Sequence, residues 1–579
     1  MIVRYPLFML KMLLIYASVA LIFYNLLFVG NTAVYFGAAA FALAVLLFFN
    51  GKDAFYKPPY NAHWATEQEI KELFVENRKG NEILLGFAYN KMIALRPGVA
   101  GRKEVGHLLV VGPSRSGKGL NIFANLLNWK GSMIVVDIKG EFYQTTAGYR
   151  KEVMGQDVYV LNPSTGTYTN QYDPFMDRET DEQLLASCTA LLNPQADGSN
   201  SAFAMRATFA LFAIVKTAKL LNKPVLPFVR DSLNLGIKEC MTTIYSATKN
   251  KSVRGFVRLF LGEAPHKYNW ESYGSDKFLN NAWMNLITKM VYLFGNGILT
   301  MTGGQDFRAA DLVEKKSSLY LVFRESDLKY TVNSFSVVIL SIVESIIRNY
   351  DLHPEKKFEP ILLVFDEAGR ITVPELPQLT ATVAGRGMIT AIYIQSMSQL
   401  ETLYGAAGME TVQSNTHTKI FFTPKDEGTA KYMSAVSGKF MVEDSRQSEG
   451  NDSSSDSLGL TAKELITVES ARTLPGGRVI VQSNEFPLIA GYRMEPFVLP
   501  EWEKAKKYPP PAVGTQSQAT DEDEDEGLEG LPLAPTMGTE APPVSPVVHK
   551  DTEGLQDEIS SFMKRAAGGV LSAPDFDDE

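Results

Sequence analysis

The stretch at residues 110–120, Val-Val-Gly-Pro-Ser-Arg-Ser-Gly-Lys-Gly-Leu, constrains the fold of this chain more than any other feature. An apolar run at residues 108–111 predicts a short buried strand, and the apolar-periodic residues 120–127 predict a helix. A glycine-rich turn between a strand and a helix points backbone N–H groups at an anion, and Lys118 adds a positive charge. A chance Gly-Lys turn is the alternative, which the strand and helix on either side disfavour. The residues predicted to bind a nucleotide are Gly112, Pro113, Ser114, Arg115, Ser116, Gly117, Lys118, Gly119 and Leu120.

Residue 119 departs from the usual pattern of such a loop. A Ser or Thr hydroxyl normally follows the lysine and binds Mg²⁺, whereas this chain has Gly119. The metal must then be held by other groups, and we expect Asp366, phosphate oxygens and water to hold it. The phosphate assignment does not depend on that hydroxyl.

A second apolar strand ends in acidic residues, as nucleotide hydrolysis requires. Residues 361–365 form a continuous apolar run, and Asp366 and Glu367 follow it directly. Asp366 is predicted to orient Mg²⁺ and its waters, and Glu367 to polarise the attacking water. The alternative is a strand that ends in a solvated acidic turn. Together with the loop, the pattern predicts a P-loop ATPase with ATP and Mg²⁺ as cofactors.

Two further residues complete the predicted catalytic set. Residues 391–394 predict another strand, and Gln395 follows it, where an amide can position water beside the γ-phosphate. Arg386 lies a short distance beyond the acidic pair, and ring ATPases insert an arginine into a neighbour's site to stabilise transition-state charge. A surface arginine without a role is the alternative for Arg386. The predicted catalytic residues are therefore Lys118, Asp366, Glu367, Gln395 and Arg386.

Charge divides the chain into a mildly basic body and an acidic end. Residues 511–579 contain 16 acidic and 3 basic residues, whereas the remaining 510 residues contain 49 acidic and 53 basic ones. An acidic tail repels DNA, so we expect it to bind basic accessory or cargo proteins. Its Pro-rich, polar composition predicts disorder. Cys188 and Cys240 form no disulfide framework, which fits a reducing compartment.

Two apolar segments at the N-terminus predict a transmembrane hairpin. Residues 6–29 and 32–49 are each long enough, or nearly so, to cross a bilayer. Basic residues flank the pair and the short connection carries no charge, so the positive-inside rule puts both ends in the cytoplasm. A cleaved signal peptide is the alternative, but it would export an ATPase to a place without ATP. We expect a multi-pass membrane protein with most of its chain in the cytoplasm.

Composition and periodicity divide the chain into six segments. Strand patterns dominate residues 81–180 and again 303–508, which predicts two parts of one α/β nucleotide-binding domain. Helical periodicity takes over between them, so residues 181–302 are predicted to form an all-α insertion domain. The other segments are the hairpin at 1–52, a linker at 53–80 and the disordered tail at 509–579. Residues 445–457 are rich in Ser, Asp, Glu and Gly, which predicts a loop.

These motifs together resemble the type IV coupling proteins of conjugation and type IV secretion, the TraG-like group. The resemblance covers roughly residues 1 to 500 and leaves out the tail. Its motifs are the loop at 112–119, Asp-Ile-Lys-Gly-Glu at 137–141, Leu-Val-Phe-Asp-Glu-Ala at 363–368 and Ile-Gln-Ser-Met-Ser-Gln-Leu at 394–400. Two features depart from the pattern of the group. The turn between the apolar segments is too short for a folded periplasmic domain, and Gly369 and Arg370 replace an expected apolar continuation.

The resemblance implies a RecA-like fold, with the all-α domain at a cytoplasmic entrance, in a homo-hexamer anchored in the bacterial inner membrane. It implies that the protein recruits a relaxase with single-stranded DNA to the channel components of a type IV secretion system, and it leaves protein cargo open. Two alternatives remain: a chromosome-type DNA translocase, and a substrate receptor or adaptor whose nucleotide site controls assembly. The sequence also leaves open whether four basic residues of the helical segment contact phosphates or form a solvated helix face; they are Lys216, Lys219, Arg254 and Arg258.

Overall fold

The computed structural model describes residues 60–101, 105–164, 167–192, 199–324, 327–356, 358–371, 373, 375–450, 453–512 and 514–516. The predicted transmembrane hairpin lies outside these residues, as does the predicted tail beyond residue 516. Within the described part of the chain, no helix is long and apolar enough to span a bilayer.

A large mixed sheet forms the centre of the protein. Its order is β2-β1-β14-β13-β10-β3-β9-β8-β4-β7-β5, and the seven strands from β10 to β5 run parallel. The other four pair antiparallel and extend the sheet on one side. The described strands are β1 (Ile83–Ala88), β2 (Lys91–Leu95), β3 (Leu108–Val111), β4 (Met133–Asp137), β5 (Asp157–Leu161), β6 (Tyr168–Thr169), β7 (Ser317–Val322), β8 (Ile361–Phe365), β9 (Met388–Ile394), β10 (Thr418–Phe421), β11 (Lys439–Gly450), β12 (Ser453–Glu464), β13 (Arg478–Ser483), β14 (Ile489–Arg493) and β15 (Thr515–Gln516).

Side chains of the parallel strands alternate between two cores. In β8, Ile361, Leu363 and Phe365 pack into one core, and Leu362 and Val364 pack into the other. All five are buried. A strand that is covered on both faces reads as an uninterrupted apolar run, which is why the sequence shows no alternation here. The predicted α/β fold is confirmed.

Helices supply the remaining side chains of both cores. Ile122 and Leu126 of α1 pack on one face of the sheet, and Phe335 and Ile339 of α11 pack on the other. The described helices are α1 (Lys118–Asn128), α2 (Glu141–Glu152), α3 (Asp181–Leu192), α4 (Ser199–Leu220), α5 (Val225–Asn234), α6 (Gly236–Ala247), α7 (Lys251–Leu261), α8 (Lys277–Met290), α9 (Asn296–Met301), α10 (Asp311–Glu314), α11 (Leu328–Leu352), α12 (Leu376–Thr382), α13 (Met397–Asn415), α14 (Glu427–Ser437), α15 (Val468–Arg472) and α16 (Pro500–Ala505). Short 3₁₀ turns occupy Lys71–Leu73, Val99–Gly101, Trp270–Ser275, Val291–Leu293, Ala384–Arg386 and Pro496–Val498.

The segment from α3 to α9 builds a core of its own. Leu211, Val229, Val257 and Leu286 come from four different helices and are buried together in it. No strand lies among the described residues of this segment. The helical periodicity of the sequence therefore corresponds to a helical body with its own apolar centre.

The prediction of a loop at residues 445–457 is wrong. β11 and β12 form an antiparallel ribbon, whose register runs from Lys439 opposite Glu464 to Gly450 opposite Ser453. The backbone N–H and C=O groups of a ribbon bind each other, so pairing does not require apolar side chains. Polar composition alone does not distinguish such a ribbon from a loop.

The chain remains packed beyond residue 509, where the tail is predicted to begin. β15 pairs with β6, and the Tyr143 hydroxyl donates a hydrogen bond to the Pro511 carbonyl at 2.8 Å. Gly148 lies against the same segment, because a Cβ there would be 2.2 Å from the Pro509 carbonyl oxygen. The predicted start of the tail is therefore too early. This Pro-rich segment, whose composition predicts disorder, therefore packs against α2 through its backbone carbonyl groups.

Candidate nucleotide-binding site

The parallel register brings four strand ends to one edge of the sheet. β3 pairs with β9, β9 with β8, and β8 with β4. The loop at 112–117 follows β3, Gln395 follows β9, and Asp366 and Glu367 follow β8, while Asp137 is the last residue of β4. Ligands of open α/β sheets bind at the carboxyl ends of the strands. The loop, the amide and the acidic residues therefore share one candidate site.

The space available for a side chain differs among the three glycines of the loop. Gly117 has φ +112°, and a Cβ on it would lie 2.9 Å from Cδ of Arg493. A Cβ on Gly112 would lie 2.7 Å from Ser116 Oγ. Around Gly119, in contrast, the described structure places nothing within 4 Å of where a Cβ would be. Packing therefore does not exclude a Ser or Thr at 119, and the missing hydroxyl is not a steric necessity.

Lys118 is folded back onto its own loop. Its side chain is buried, with 6% of the residue exposed, and Nζ donates to the carbonyls of Gly112 at 2.6 Å and Pro113 at 3.2 Å. Burial lowers the pKa of Lys118, and the nearby carboxylates of Glu367 and Asp366 oppose this shift. The ammonium thus sits at the strand end, where phosphate oxygens can replace the two carbonyls.

Asp366 and Asp137 are neighbouring carboxyl groups at the same edge. Burial, together with the charges of Glu367 and Asp137, raises the pKa of Asp366 to about 7, and Lys118 opposes the shift. Burial also raises the pKa of Asp137 to about 6, although its carboxylate accepts a hydrogen bond from the Tyr143 N–H at 2.8 Å. Asp137 Oδ1 is buried and has no hydrogen-bond partner among the described residues. A buried acceptor without a partner is costly, so this oxygen is suited to a cation or its water.

Asp137 is not among the residues that the sequence predicts for the site. Its signal is the same as that of Asp366, an acidic residue at the end of an apolar strand. What the sequence lacks is the order of the strands, which places β4 directly beside β8.

The donors at this edge fit Mg²⁺. In proteins this ion is usually bound through one or two carboxylates together with phosphate oxygens and water, and Asp366 and Asp137 supply carboxylates. No group of three or more His, Cys, Asp or Glu side chains able to hold a metal occurs in the part of the chain that the structure describes. The two carboxylates favour a metal that is bound together with a phosphate ligand.

Glu367 and Gln395 are joined directly. Gln395 Nε2 donates to Glu367 Oε2 at 2.6 Å, and the Glu367 side chain is only 15% exposed. Glu367 has φ +50°, a left-handed conformation that costs a non-glycine residue about 1 kcal/mol or more. Strained residues of this kind cluster at functional sites, and here the turn aims the carboxylate at the strand edge.

Packing explains why residue 369 is a glycine, although an apolar residue is expected there. Gln399 Oε1 accepts a hydrogen bond from the Gln395 N–H at 2.8 Å. A Cβ on Gly369 would lie 2.0 Å from the same oxygen. Glycine at 369 therefore leaves space for the side chain that fixes Gln395.

Arg386 lies apart from the other four predicted catalytic residues. It belongs to the turn that precedes β9, whereas Gln395 follows the same strand. Its Nε and Nη2 bind the Asp351 carboxylate at 2.8 and 3.2 Å, and Nη1 donates to the Thr382 carbonyl at 2.8 Å. Within one chain, Arg386 is at the opposite edge of the sheet from the loop.

The basic residues considered as phosphate contacts have partners within the chain. The Lys219 ammonium donates to three backbone carbonyls between residues 175 and 178 at 2.6–2.9 Å, and burial lowers its pKa to about 8. Lys216 pairs with Asp181 at 2.7 Å. Arg254 and Arg258 lie 5.0 and 5.7 Å from the ring centroid of Tyr245. These contacts favour a structural role for the four residues.

Two protein families match separate parts of the chain. The family described as "Type IV secretory system Conjugative DNA transfer" matches residues 63–252. The family described as "TraM recognition site of TraD and TraG" matches residues 360–476, which include the acidic pair, Arg386 and Gln395.

Curated relatives agree with these families. Protein VirD4 of Rhizobium radiobacter is 26% identical over 360 residues, which cover 58% of this chain and 48% of that protein. The conjugal transfer protein TraG of Escherichia coli is 24% identical over 479 residues, which cover 74% of this chain and 72% of TraG. The chain thus spans about half the length of the VirD4 relative.

Solved structures of a plasmid coupling protein, TrwB, share the fold. The unbound form has a TM-score of 0.54 at 18% identity and covers 79% of this chain and 98% of TrwB. A complex of TrwB with ADP and Mg²⁺ has a TM-score of 0.53 at 18% identity and covers 76% and 96%. This likeness supports the RecA-like P-loop fold. Together with the motifs and the curated relatives, the two matched families support a type IV coupling protein.

Proposed function

We propose that this protein is a membrane-anchored ATPase that recruits relaxase–DNA substrates to a type IV secretion channel and drives their transfer by ATP hydrolysis. The observation that carries the proposal is the buried Lys118 ammonium, held on its own loop beside Asp366 and Glu367. VirD4, TraG and the conjugative DNA-transfer family support the substrate class. TrwB in complex with ADP and Mg²⁺, and with an ATP analogue, supports the cofactors.

Each site residue receives a role in this proposal. Lys118 and the N–H groups of the loop bind the β- and γ-phosphates. Asp366 and Asp137 would hold Mg²⁺, which neutralises phosphate charge when bound. Glu367 accepts the proton of the attacking water, and the 2.6 Å hydrogen bond from Gln395 fixes its carboxylate. Gln395 thereby links hydrolysis to β9 and α13.

Other features of the chain support a membrane anchor and protein and DNA partners. The apolar segments at 6–29 and 32–49 would insert in the bacterial inner membrane as a hairpin. The family matched at 360–476 supports a protein partner for this part of the chain. A homo-hexamer would surround single-stranded DNA, and the acidic tail would bind basic accessory or cargo proteins.

Steady-state ATP hydrolysis by the full chain, measured with and without single-stranded DNA, tests the function. We expect hydrolysis that DNA stimulates, and a loss of about 10²-fold or more in Lys118→Ala, because the cation that meets the phosphates is absent. Lys431→Ala is the matched control, since Lys431 is 66% exposed on α14 and pairs with Glu427. Equal turnover in Lys118→Ala and wild type would contradict the assignment of ATP hydrolysis to this site. Turnover without stimulation by DNA would favour a receptor or adaptor.

Glu367→Gln should bind nucleotide normally and hydrolyse it about 10²–10⁴-fold more slowly, since an amide cannot accept the proton of water. The measurement is single-turnover hydrolysis beside the Kd of ADPNP. Glu401→Gln, an exposed substitution on α13, should retain wild-type turnover. If Glu367→Gln hydrolysed ATP at the wild-type rate, the base would have to be another group.

Arg386 is proposed to act in the site of a neighbouring subunit, because its own loop lies at the other edge of the sheet. It would have to leave Asp351, so the pair would hold the arginine until subunits assemble. Arg386→Ala and Lys118→Ala subunits should each be inactive alone and should recover part of the ATPase activity in mixed hexamers. No recovery in demonstrably mixed hexamers would exclude the role in trans.

A further inference from the structure

A cavity of about 430 Å³ lies at the carboxyl ends of β4, β7 and β5. It adjoins the nucleotide site along the sheet edge, because Lys139, which lines it, comes two residues after Asp137 at the end of β4. Arg324, which follows β7, is the second basic residue of the lining. No Asp or Glu is among the described residues around the cavity, so both of its charged side chains are positive. No role described so far uses either side chain.

The charges of Lys139 and Arg324 are not neutralised within the described part of the chain. Neither side chain has an ion-pair partner among the described residues. Arg493, at the same edge of the sheet, binds Glu495 at 2.9 Å. Like charges that line one cavity repel each other, so an anion that binds both cations relieves this repulsion in addition to its own attraction. The cavity is therefore suited to an anionic group.

The C-terminal part of the described chain forms one wall of the cavity. Residues 510–512 line it, and the hydrogen bond from the Tyr143 hydroxyl to the Pro511 carbonyl holds them there. The chain then pairs Gln516 with Tyr168, which is itself a lining residue. The last described residue of the chain thus lies at the rim of the cavity.

The longest acidic run of the chain follows this point closely. Residues 521–526 read Asp-Glu-Asp-Glu-Asp-Glu and begin five residues after Gln516. Five residues span at most about 18 Å, so the run is tethered beside the two cations. A short tether gives an effective concentration on the order of mM. Modest attraction between partly exposed charges is then sufficient for binding.

We propose that the acidic run 521–526 occupies this cavity of its own chain, with its carboxylates on Lys139 and Arg324. The contact covers two cations beside the nucleotide site in the resting protein. It goes beyond the proposed function, in which the tail binds only basic partners from outside the chain. Such a partner would have to displace the run, and its binding would expose Lys139 and Arg324 to other anions, such as phosphate groups.

Carbodiimide cross-linking of the full chain tests the contact, because the reagent joins a lysine amine to a carboxylate with no spacer. Mass spectrometry should find Lys139 joined to residues 521–526 within one chain. The cross-link between Lys431 and Glu427, which lie 2.8 Å apart on α14, reports equal reagent activity in every sample. Raising the salt from 0.15 to 1 M shortens the Debye length from about 8 to about 3 Å and should lower the Lys139 yield several-fold.

Two variants and a matched control identify the groups involved. Arg324→Gln keeps the Lys139 amine but removes the other cation, so it should lower the cross-link several-fold; Arg324 is exposed, and its replacement leaves the core intact. Replacing the six carboxylates at 521–526 by amides should abolish the cross-link. The control replaces the four acidic side chains at 575–579, at the far end of the same tail, by amides and should leave the yield unchanged.

Three results would overturn the proposal. Absence of the Lys139 cross-link where Lys431 and Glu427 are joined would mean that the run lies elsewhere. An equal yield in Arg324→Gln and wild type would mean that the cavity does not bind the run. A cross-link that joins ¹⁵N-labelled to unlabelled chains in mixed samples would mean that the run enters the cavity of another subunit.

Discussion

The parallel pairing of β3, β9, β8 and β4 is the constraint on which the site depends. The four strands come from different parts of the sequence, and each leads into a residue or loop that can contact a ligand. These are the glycine loop, Gln395, the acidic pair and Asp137. Parallel backbone hydrogen bonds force these ends to the same edge of the sheet. Both faces of the strands are buried, so a shift in register would move apolar side chains into the wrong core and is strongly disfavoured.

A buried cation at this edge creates a second constraint. Lys118 must replace its lost hydration, and it does so with two loop carbonyls and the field of two carboxylates. The same arrangement prepares the site for a phosphate, because the ligand oxygens can take over the bonds of the carbonyls. The raised pKa of Asp366 has the complementary cause, since burial and neighbouring carboxylates disfavour its charge where no cation is bound.

The sequence predicts the elements of the site better than their arrangement. The strands at 108–111 and 361–365 have the predicted bounds, because strands buried on both faces appear as apolar runs. The position of Asp137 beside Asp366 requires the order of the strands, which no local pattern contains. The ribbon at 439–464 and the packed segment at 509–516 were missed for another reason. Hydrogen bonds between backbone groups hold both segments in place, whereas amino-acid composition describes only the side chains. The position of Arg386 relative to the loop likewise follows from strand direction.

A structure of the full chain with Mg²⁺ and ADPNP would test the central claim most directly, namely that Lys118 exchanges loop carbonyls for phosphate. We predict that Lys118 Nζ leaves Gly112 and Pro113 and lies about 3 Å from β- and γ-phosphate oxygens. Asp366 would then face the metal, directly or through water. A bound nucleotide with Lys118 still on its carbonyls, or phosphates located away from the loop, would contradict the account.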